Sequence, residues 1–534
     1  MPTVARTIGK ELSQAGIRYV FGVPGGETLD LLEGFRQEGL DFILTRHETA
    51  AAFMASTWGE LTGIPGICLA TLGPGATNLV TGVAHAFLDR CPLIAISPQL
   101  PADRFPLNPH QALDLSAIFQ PITKWTAVVT PGNAYHVIQK ALRIAVDGQR
   151  GPVYLQIASD IPAQEARPIA VAFPSGLGLS EQIRPAEVTP ESLTGVSEFL
   201  RKSRRPAVMV GIGALHQHAG HDVRAFCEWF RAPVIDFPKA KGIFPERHPL
   251  FVGTWEMHGG DPLFRLIEEA DLIVAIGMEA IELDRPWHSS APVLAYNGSP
   301  NNDWQFPCHC QVIGPIGRSL AASKTLAKQS ESTWTPEEIA EVTEEVFDNI
   351  KPEISGLTPH SVLTILQKAL PEGAILSTDT GAHKNYIGQF WRTNVPGSYL
   401  VSNGLSSMGY GMPAAIAAKL AFPDRTCVAV IGDGGFGMCI GEIETAVRER
   451  IPILCVVFVD NALSAICLGQ KRRAYPSFGT QFSVADYAGA AAALGADAVS
   501  VNTAEECVKV FSSAAEIQKP TVVTAAINME GYPT

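Results

Sequence analysis

The sequence predicts an α/β protein that is built from parallel sheets in three domains. Between Val20 and Ser97, short apolar runs alternate with helical stretches. These runs are residues 42–44, 67–70 and 93–96. A second alternation of the same kind extends from about Thr358 to the end of the chain. Alternating strands and helices are typical of parallel α/β domains, and 534 residues suit about three of them.

A third α/β segment lies between these two, at about residues 188–335. It is bounded by stretches that carry Pro and Ser, near residues 174–176 and at 328–336, and such stretches are typical of linkers. The expected domains are therefore residues 1–170, 188–335 and 355–534.

The first and last domains resemble distant internal repeats. Residues 75–96, with Asp89-Arg90 before a strand-like run, parallel residues 411–431, with Asp424-Arg425 before another. Such a repeat indicates two duplicated halves that hold a ligand.

Composition argues against several classes of partner. The net charge of −13 and the pI near 5.5 argue against non-specific binding of nucleic acid. No run approaches the roughly 18 apolar residues of a membrane helix and no signal peptide opens the chain, so we expect a cytoplasmic protein without membrane contact. The 10 cysteines mostly stand singly, and the one cluster, Cys308-His309-Cys310, is too tight for a zinc site.

Two acids flank a predicted strand-helix-strand unit in the last domain. The apolar runs 426–431 and 453–459 lead into Asp433 and Asp460, which are 27 residues apart, and helical spacing with Pro452 predicts one crossover helix. The crossover brings both carboxylates to one sheet edge, beside a glycine turn that offers N–H groups to a phosphate. Magnesium fits two carboxylates beside a phosphate. Alternatively, Asp433 is a helix cap and Asp460 a strand-end acid that faces water.

Motifs along the chain resemble the signatures of one enzyme family. The motifs are residues 21–27, 44–49, 72–78, 379–383, 406–411 and 432–435. Through them, nearly all of the chain resembles the thiamine diphosphate enzymes and, within these, the acetohydroxyacid synthase (acetolactate synthase) group of decarboxylase-carboligases. The resemblance implies three doubly wound parallel-sheet domains, which are a pyrimidine-binding, a central and a diphosphate-binding domain.

The resemblance also implies the ligands of a magnesium ion. Carried over to this chain, they are Asp433, Asp460 and the backbone carbonyl of Ala462. The family's Asn-Asn pair is Val459-Asp460 here, and the neighbouring Asn461 stays a rival ligand. Cofactor contacts are expected from the whole turn and from Asn461. The turn consists of Gly432, Asp433, Gly434 and Gly435.

Glu48 matches the catalytic glutamate of the family. In relatives this carboxyl shares a proton with a pyrimidine nitrogen, and the resulting imine removes the proton from thiazolium carbon 2. Pro24 and Asn78 stand in the neighbouring pyrimidine-binding loops. The alternative for Glu48 is a first-turn acid of a helix, which helix electrostatics favours.

Further positions match the family's cofactor contacts. Met408 stands where relatives wedge a large apolar side chain between the two rings of the cofactor; an ordinary core methionine is the alternative. Backbone groups of Ser406 and Met408 are expected at the pyrimidine. Thr380, Ala382 and His383 stand in the diphosphate loop.

The middle domain carries a partial dinucleotide motif. Residues 210–214 read Val-Gly-Ile-Gly-Ala after a strand-like run, with Asp236 at about the expected distance. Relatives use this domain for a structural flavin or for no ligand. Residues 241–245 and 257–259 match flavin-containing synthases, but the flavin-contacting Gly-Ala-Arg is Gly277-Met278-Glu279 here. An anion replaces a cation, which disfavours FAD.

The substrate pocket departs from that of acetohydroxyacid synthases. Their Phe-Gln pair is His110-Gln111 here, which predicts a more polar substrate and makes His110 a candidate acid or base, unless it is only a loop histidine. Lys124 matches a position of a possible anion partner. Residues 470–473 stand where relatives have a mobile lid, unless this charge run is only a solvated surface.

We therefore expect an enzyme that uses thiamine diphosphate and magnesium to decarboxylate a 2-oxo acid and to ligate the product to an acceptor. Glu48 of one chain would complete the site of its neighbour in a homodimer or homotetramer. The alternatives are a plain decarboxylase or lyase, a binding relative without catalysis, and a flavin or nicotinamide oxidoreductase.

Overall fold

The computed structural model describes residues 1–107, 109–167, 193, 195–300, 305–328, 330–351, 354 and 356–532. The predicted linker at 174–176 and the expected domain limits at 170, 188, 355 and 534 lie outside the described residues. None of the helices within the described ranges combines the length and the apolar character that spanning a membrane requires.

The N-terminal sheet has six strands. They are β1 (Tyr19–Val23), β2 (Asp41–Leu44), β3 (Gly66–Ala70), β4 (Leu93–Gln99), β5 (Trp125–Val129) and β6 (Pro152–Ala158). The order across the sheet is β2-β1-β3-β4-β6-β5, and neighbouring strands are parallel. Its helices are Val4–Gln14, Leu29–Gln37, Glu48–Thr62, Pro74–Asn78, Val80–Leu88, Leu115–Phe119 and Ala134–Val146.

The central sheet also has six strands. They are β7 (Pro206–Val210), β8 (Val234–Asp236), β9 (Phe251–Thr254), β10 (Leu272–Ile276), β11 (Val293–Asn297) and β12 (Cys310–Ile313). The order is β12-β11-β10-β7-β8-β9, again with parallel neighbours. Its helices are Val196–Lys202, Ile212–His216, Gly220–Phe230, Asp261–Glu269, Ile316–Ala327 and Pro336–Asp348.

The C-terminal sheet completes the fold. Its strands are β13 (Ile375–Thr378), β14 (Tyr399–Val401), β15 (Cys427–Gly432), β16 (Leu454–Val459), β17 (Asp497–Val501) and β18 (Thr521–Ala526). The order is β14-β13-β15-β16-β18-β17, with parallel neighbours. Its helices are Pro359–Ala369, Ala382–Phe390, Gly411–Ala421, Asp433–Cys439, Glu442–Arg448, Ser464–Arg472, Tyr487–Ala493 and Ala504–Phe511.

The predicted class of three doubly wound parallel-sheet domains is confirmed. The inner strands β4, β10 and β15 are almost wholly buried, as strands covered by helices on both faces must be. One detail of the prediction is wrong. The crossover between Asp433 and Asp460 contains two short helices rather than one, with a break at Ile440-Gly441, where the carbonyls of these two residues accept turn hydrogen bonds from the N–H groups three positions later.

The repeat is real, but its predicted register is shifted by one unit. The first and last sheets have the same strand order, and in this order β15 takes the place of β3, whereas the sequence parallel paired it with β4. The parallel depended on an Asp-Arg turn before an apolar run, and so local a pattern does not identify which strand-helix unit it belongs to.

The two equivalent halves pack against each other through their helices. Glu48–Thr62 lies against Gly411–Ala421, and small side chains let the two helices approach closely. The buried alanines of this contact region include Ala51, Ala52, Ala55, Ala414, Ala415 and Ala418. This contact places the carboxyl ends of both sheets in a fixed relation within one chain.

Candidate active site

A cavity of about 150 Å³ lies at the carboxyl ends of β13, β15 and β16. In open parallel sheets, this is the edge where ligands bind. The predicted site residues Thr380, Ala382, His383, Met408, Gly432, Asp433, Gly434, Gly435, Asp460 and Ala462 all line it. The crossover thus brings the two acids of the sequence analysis together, as predicted.

Hydrogen bonds fix the two carboxylates of the cavity. Asp433 follows β15 and accepts hydrogen bonds from the N–H of Gly434 (2.8 Å) and of Asn461 (2.7 Å). Asp460 follows β16 and accepts from the N–H of Ala462 (3.3 Å) and from the hydroxyl of Ser464. Burial raises the pKa of Asp460 to about 6, and the neighbouring charge of Asp433 adds to this rise. A buried and a half-buried carboxylate in the lining of one cavity favour a cation between them.

The rival Asn461 contacts Asp433 through its backbone. Its φ is +56°, its N–H binds Asp433, and its carbonyl accepts from the N–H of Phe482 at 2.7 Å. Its side chain does not line the cavity, although Oδ1 is buried without a hydrogen-bond partner among the described residues.

A metal ion at this edge would need ligands besides side chains. Among the residues that the structure describes, no group of three His, Cys, Asp or Glu side chains could hold a metal ion. The available donors are two carboxylates and the carbonyl of Ala462. This set fits magnesium, which keeps several ligand or water oxygens.

Two polar atoms of the cavity wall lack partners in the described structure. They are Oγ1 of Thr380 and Nε2 of His383, and both are buried. Burial lowers the pKa of His383 to about 4, so the ring is neutral at pH 7 and one ring nitrogen can donate. Ala382 begins the helix Ala382–Phe390 beside them. Unpaired donors at a helix start fit the diphosphate of the expected cofactor.

The glycine turn is packed too tightly for side chains. A β-carbon at Gly435 would lie 1.9 Å from Oδ2 of Asp379, and one at Gly434 would lie 3.1 Å from Cε of Met408. Asp379 in turn accepts hydrogen bonds from the N–H of Gly409 (2.8 Å) and Gly411 (2.5 Å), and burial raises its pKa to about 6. Asp379 therefore fixes the turn and the Met408 loop together.

The Met408 loop has its own support. Ser406 has a φ of +53°, and its hydroxyl accepts a hydrogen bond from Nζ of Lys384 at 3.1 Å. From the N-terminal domain, Asp89 accepts hydrogen bonds from the N–H of Asn403 (3.0 Å) and Gly404 (2.6 Å). The loop that presents Met408 is thus held by two domains.

The other predicted residues gather at the edge of the N-terminal sheet. Glu48 is the first residue of its helix, is 8% exposed, and accepts a hydrogen bond from Nδ2 of Asn78 at 3.0 Å. Gln111 packs on Gly73, which precedes the turn beside Glu48, and Pro24 directly follows β1. His110 is exposed, and no described contact joins it to Glu48.

The two groups of predicted residues remain apart within one chain. All residues that line the cavity belong to the C-terminal domain, and neither Glu48 nor Asn78 is among them. The sequence analysis also missed several lining residues, which are Phe458, Leu463, Ser464, Ile466 and Tyr532. Ser464 carried a usable signal, because a hydroxyl four residues after Asp460 can reach that carboxylate from the next helix start.

Two cationic side chains at positions named in the sequence analysis have partners within the described chain. Nζ of Lys124 donates to the carbonyls of Ile144 (2.5 Å) and Asp147 (2.6 Å), so it caps a helix end. Burial lowers its pKa to about 8. Lys471 of the predicted lid pairs with Glu530 at 2.9 Å.

The glycine turn of the central domain is bound by a side chain of the protein. The Glu282 carboxylate accepts from the N–H of Ile212 (2.9 Å) and of Glu279 (3.0 Å), so a side chain of the protein takes the place of a phosphate at the glycine turn. Glu279 itself pairs with Nε of Arg90 at 2.6 Å. Asp236, the expected ribose partner, is fully buried. The charge change at Glu279 therefore serves a domain contact.

Comparisons with known proteins cover the same three domains. Residues 2–118, 193–322 and 379–525 match the N-terminal TPP binding domain, the central domain and the C-terminal TPP binding domain of thiamine pyrophosphate enzymes. The chain is similar to the acetolactate synthase large subunit of Corynebacterium glutamicum, with 30% identity over 98% of this chain and 86% of the relative.

Two further relatives agree. A probable acetolactate synthase large subunit of Methanocaldococcus jannaschii is 30% identical over 86% of this chain and 81% of its own. The putative thiamine pyrophosphate-containing protein YdaP of Bacillus subtilis is 27% identical over 99% and 92%. The chain therefore belongs to the thiamine pyrophosphate enzyme family, as a cofactor-dependent enzyme of the acetolactate synthase-like group.

Proposed function

We propose that the protein is a decarboxylase-carboligase that acts on a 2-oxo acid and depends on thiamine diphosphate and magnesium. The observation that carries this proposal is the cavity beyond β15, where buried donors without partners in the described structure stand beside the buried carboxylate of Asp433 and the half-buried one of Asp460. The donors would bind a diphosphate, and the carboxylates would bind the cation that accompanies the diphosphate.

Each part of the cofactor would have its own set of residues. Thr380, the N–H of Ala382 and His383 would hold the diphosphate. Asp433, Asp460 and the carbonyl of Ala462 would hold magnesium, and the cavity lining supports Asp460 over Asn461. Ser406 and Met408 would contact the pyrimidine and separate the rings.

Glu48 would manage a proton during catalysis. When bound, thiamine diphosphate supplies a carbon nucleophile and an electron sink. Glu48 would hold and return a proton at its carboxyl oxygen, while the amide of Asn78 orients that carboxyl at 3.0 Å. Its burial keeps water away from the carboxyl.

The complete site would be shared between two chains of a homodimer or homotetramer. The separation of Glu48 from the cavity of its own chain supports this part of the proposal. Chains with Glu48→Gln and chains with Asp433→Ala should each be inactive alone. Mixed under dissociating and reassociating conditions, they should regain activity, because one site of each hybrid pair has both native residues. No regain would contradict the shared site.

The substrate is proposed to be a 2-oxo acid with a polar acceptor or side chain. His110 stands where relatives have Phe, next to Gln111, which packs on the turn near Glu48, and this replacement supports a more polar pocket. Release of carbon dioxide should be measured on a panel of 2-oxo acids, pyruvate first, with cofactor and magnesium added or withheld. Acyloin would identify a carboligase, and aldehyde alone a plain decarboxylase. A panel without any release would contradict the proposal.

The central domain is proposed to work without flavin. At the glycine turn, the N–H of Ile212 is already bound by the Glu282 carboxylate and that of Gly213 by the carbonyl of Gly277, so neither is free for a phosphate. The purified protein should therefore show no flavin absorbance at visible wavelengths, and added FAD should not change its turnover. Turnover that depends on added FAD would contradict this part.

A further inference from the structure

The turn before Glu48 is held by the C-terminal domain of the same chain. The Glu442 carboxylate accepts hydrogen bonds from the N–H of Arg46 (3.0 and 3.2 Å) and of His47 (3.0 Å). Glu442 is 1% exposed and lies 395 positions from His47 in the sequence. A carboxylate that accepts several N–H groups in a buried place is a strong constraint on the backbone.

The whole helix Glu442–Arg448 supports this turn. The guanidinium of Arg448 donates to the carbonyl of Leu44, and Arg46 stands 3.9 Å from the carboxylate of Glu444. A β-carbon at Gly441 would lie 3.3 Å from Cβ of Arg46, so the backbones are in close contact. Of the side chains of this helix that contact the turn, those of Glu444 and Arg448 are 33% exposed, whereas Glu442 is buried.

The turn determines where the helix of Glu48 begins. His47 is the N-cap of Glu48–Thr62, and its Nδ1 accepts from the N–H of Thr49 at 3.2 Å. Because Glu48 is the first helical residue, the backbone at Arg46 and His47 sets the direction in which its side chain leaves. Glu48 is thus fixed twice. Asn78 binds its carboxyl, and Glu442 holds the backbone of the two residues before it.

The same segment begins at the cofactor cavity. Asp433 starts the helix Asp433–Cys439, and Glu442 starts the next one. One short stretch of chain therefore joins a proposed metal ligand to the turn of Glu48. Under the shared-site arrangement, these two residues serve different cofactor sites.

We propose that Glu442 is a positioning residue for Glu48 of its own chain, and that it acts by holding the turn at Arg46 and His47. The proposal rests on the proposed function, because it takes Glu48 as the proton-handling group. Glu442 itself would touch no cofactor. The effect of replacing it should therefore appear when the replacement is in the chain that supplies Glu48.

Hybrid pairs provide the test. The chain with Asp433→Ala supplies the native Glu48, and the chain with Glu48→Gln supplies the native Asp433. Glu442→Ala is introduced into one chain or the other before mixing. In the chain that supplies Glu48, it should lower kcat by roughly tenfold or more, with half-saturation by thiamine diphosphate unchanged. In the other chain, the loss should stay below about twofold.

Two controls keep the outcome readable. Glu442→Gln retains an acceptor oxygen, so it should restore most of the turnover in the same position. Should the alanine variant not fold, Glu442→Gln is introduced into one chain or the other in the same way, and any loss of turnover is compared between the two chains. Glu444→Ala removes the more exposed acid of the same helix and should change kcat by less than about twofold. Equal losses from either chain would overturn the proposal. If the hybrids without Glu442 changes show no activity, the shared site fails instead.

Discussion

Two glycine turns of this protein look alike in sequence and differ in what fills them. Gly432-Asp433-Gly434-Gly435 and Gly211-Ile212-Gly213 both follow a buried strand and lead into a helix. Beside the first, Thr380 and His383 keep polar atoms without partners in the described structure. At the second, the Glu282 carboxylate accepts from the N–H of Ile212, and the carbonyl of Gly277 accepts from that of Gly213 at 2.8 Å.

A glycine turn alone therefore does not make a phosphate site. A helix start offers N–H groups to any anion, and a carboxylate of the protein satisfies them as well as a phosphate does. The deciding residue lies far away in sequence, 70 positions in the case of Glu282 and Ile212. A functional turn is recognised by the donors that the fold leaves unpaired.

The largest effect on turnover is expected from a substitution at Glu48, which belongs to neither glycine turn. Glu48→Gln should lower turnover by about 10²- to 10⁴-fold, because an amide cannot exchange the proton that the carboxyl handles. Affinity for thiamine diphosphate should stay within about threefold, since the C-terminal turn is intact. Calorimetric titration beside a turnover assay separates the two quantities. Turnover equal to that of the native protein would contradict the role of Glu48.

Removing one unpaired donor should weaken the first turn alone. Thr380→Val keeps the shape of the side chain but loses the hydroxyl, so affinity for thiamine diphosphate should fall roughly 10- to 100-fold. Thr378→Val is the matched control, because its hydroxyl is also buried without a partner in the described residues but does not line the cavity. Equal losses in both variants would show that the cavity is not the diphosphate site.

The central turn should respond in stability and not in binding. Glu282→Ala leaves the N–H groups of Ile212 and Glu279 buried without an acceptor, which should lower the free energy of unfolding by about 1–3 kcal/mol. Glu282→Gln keeps an acceptor and should lose less. Urea denaturation measures both variants, and cofactor affinity should remain native. A fall in cofactor affinity together with native stability would contradict the structural role of Glu282 at the central turn.

The pH dependence of the first turn should be the smallest effect. Burial lowers the pKa of His383 from 6.5 to about 4. The unfolded chain therefore binds a proton at a higher pH than the folded one, and this part of the stability is lost as the pH falls from 6.5 towards 4, with about 1–2 kcal/mol lost by pH 5.5 to 5. In His383→Gln without cofactor, the urea midpoint should depend less on pH in this window. An unchanged dependence would show that His383 does not titrate in this way.

Much of the fold was predictable because local patterns determine it. Apolar runs and crossover helices indicated the three parallel domains, and the spacing of Asp433 and Asp460 indicated that they meet. The register of the repeat was not predictable, since an Asp-Arg turn before an apolar run does not identify which strand-helix unit it belongs to. Sequence patterns could place β15 in the sheet but not match it to β3.

The supporting residues were harder to predict because their partners are distant in sequence. Asp379 holds Gly409 and Gly411 across 30 and 32 positions, and Arg90 reaches Glu279 across 189. A motif names the residues that touch a ligand, whereas tertiary packing decides which side chains hold those residues. The same reason explains why Glu442 has no signal in the sequence.

The most direct test of the comparison is a calorimetric titration with thiamine diphosphate and magnesium. The native protein and Glu282→Ala should bind with similar affinity, whereas Asp433→Ala should lose at least about 100-fold, because it lacks a carboxylate for the cation. Native affinity in Asp433→Ala, or a matching loss in Glu282→Ala, would contradict the assignment of the cofactor to the C-terminal turn.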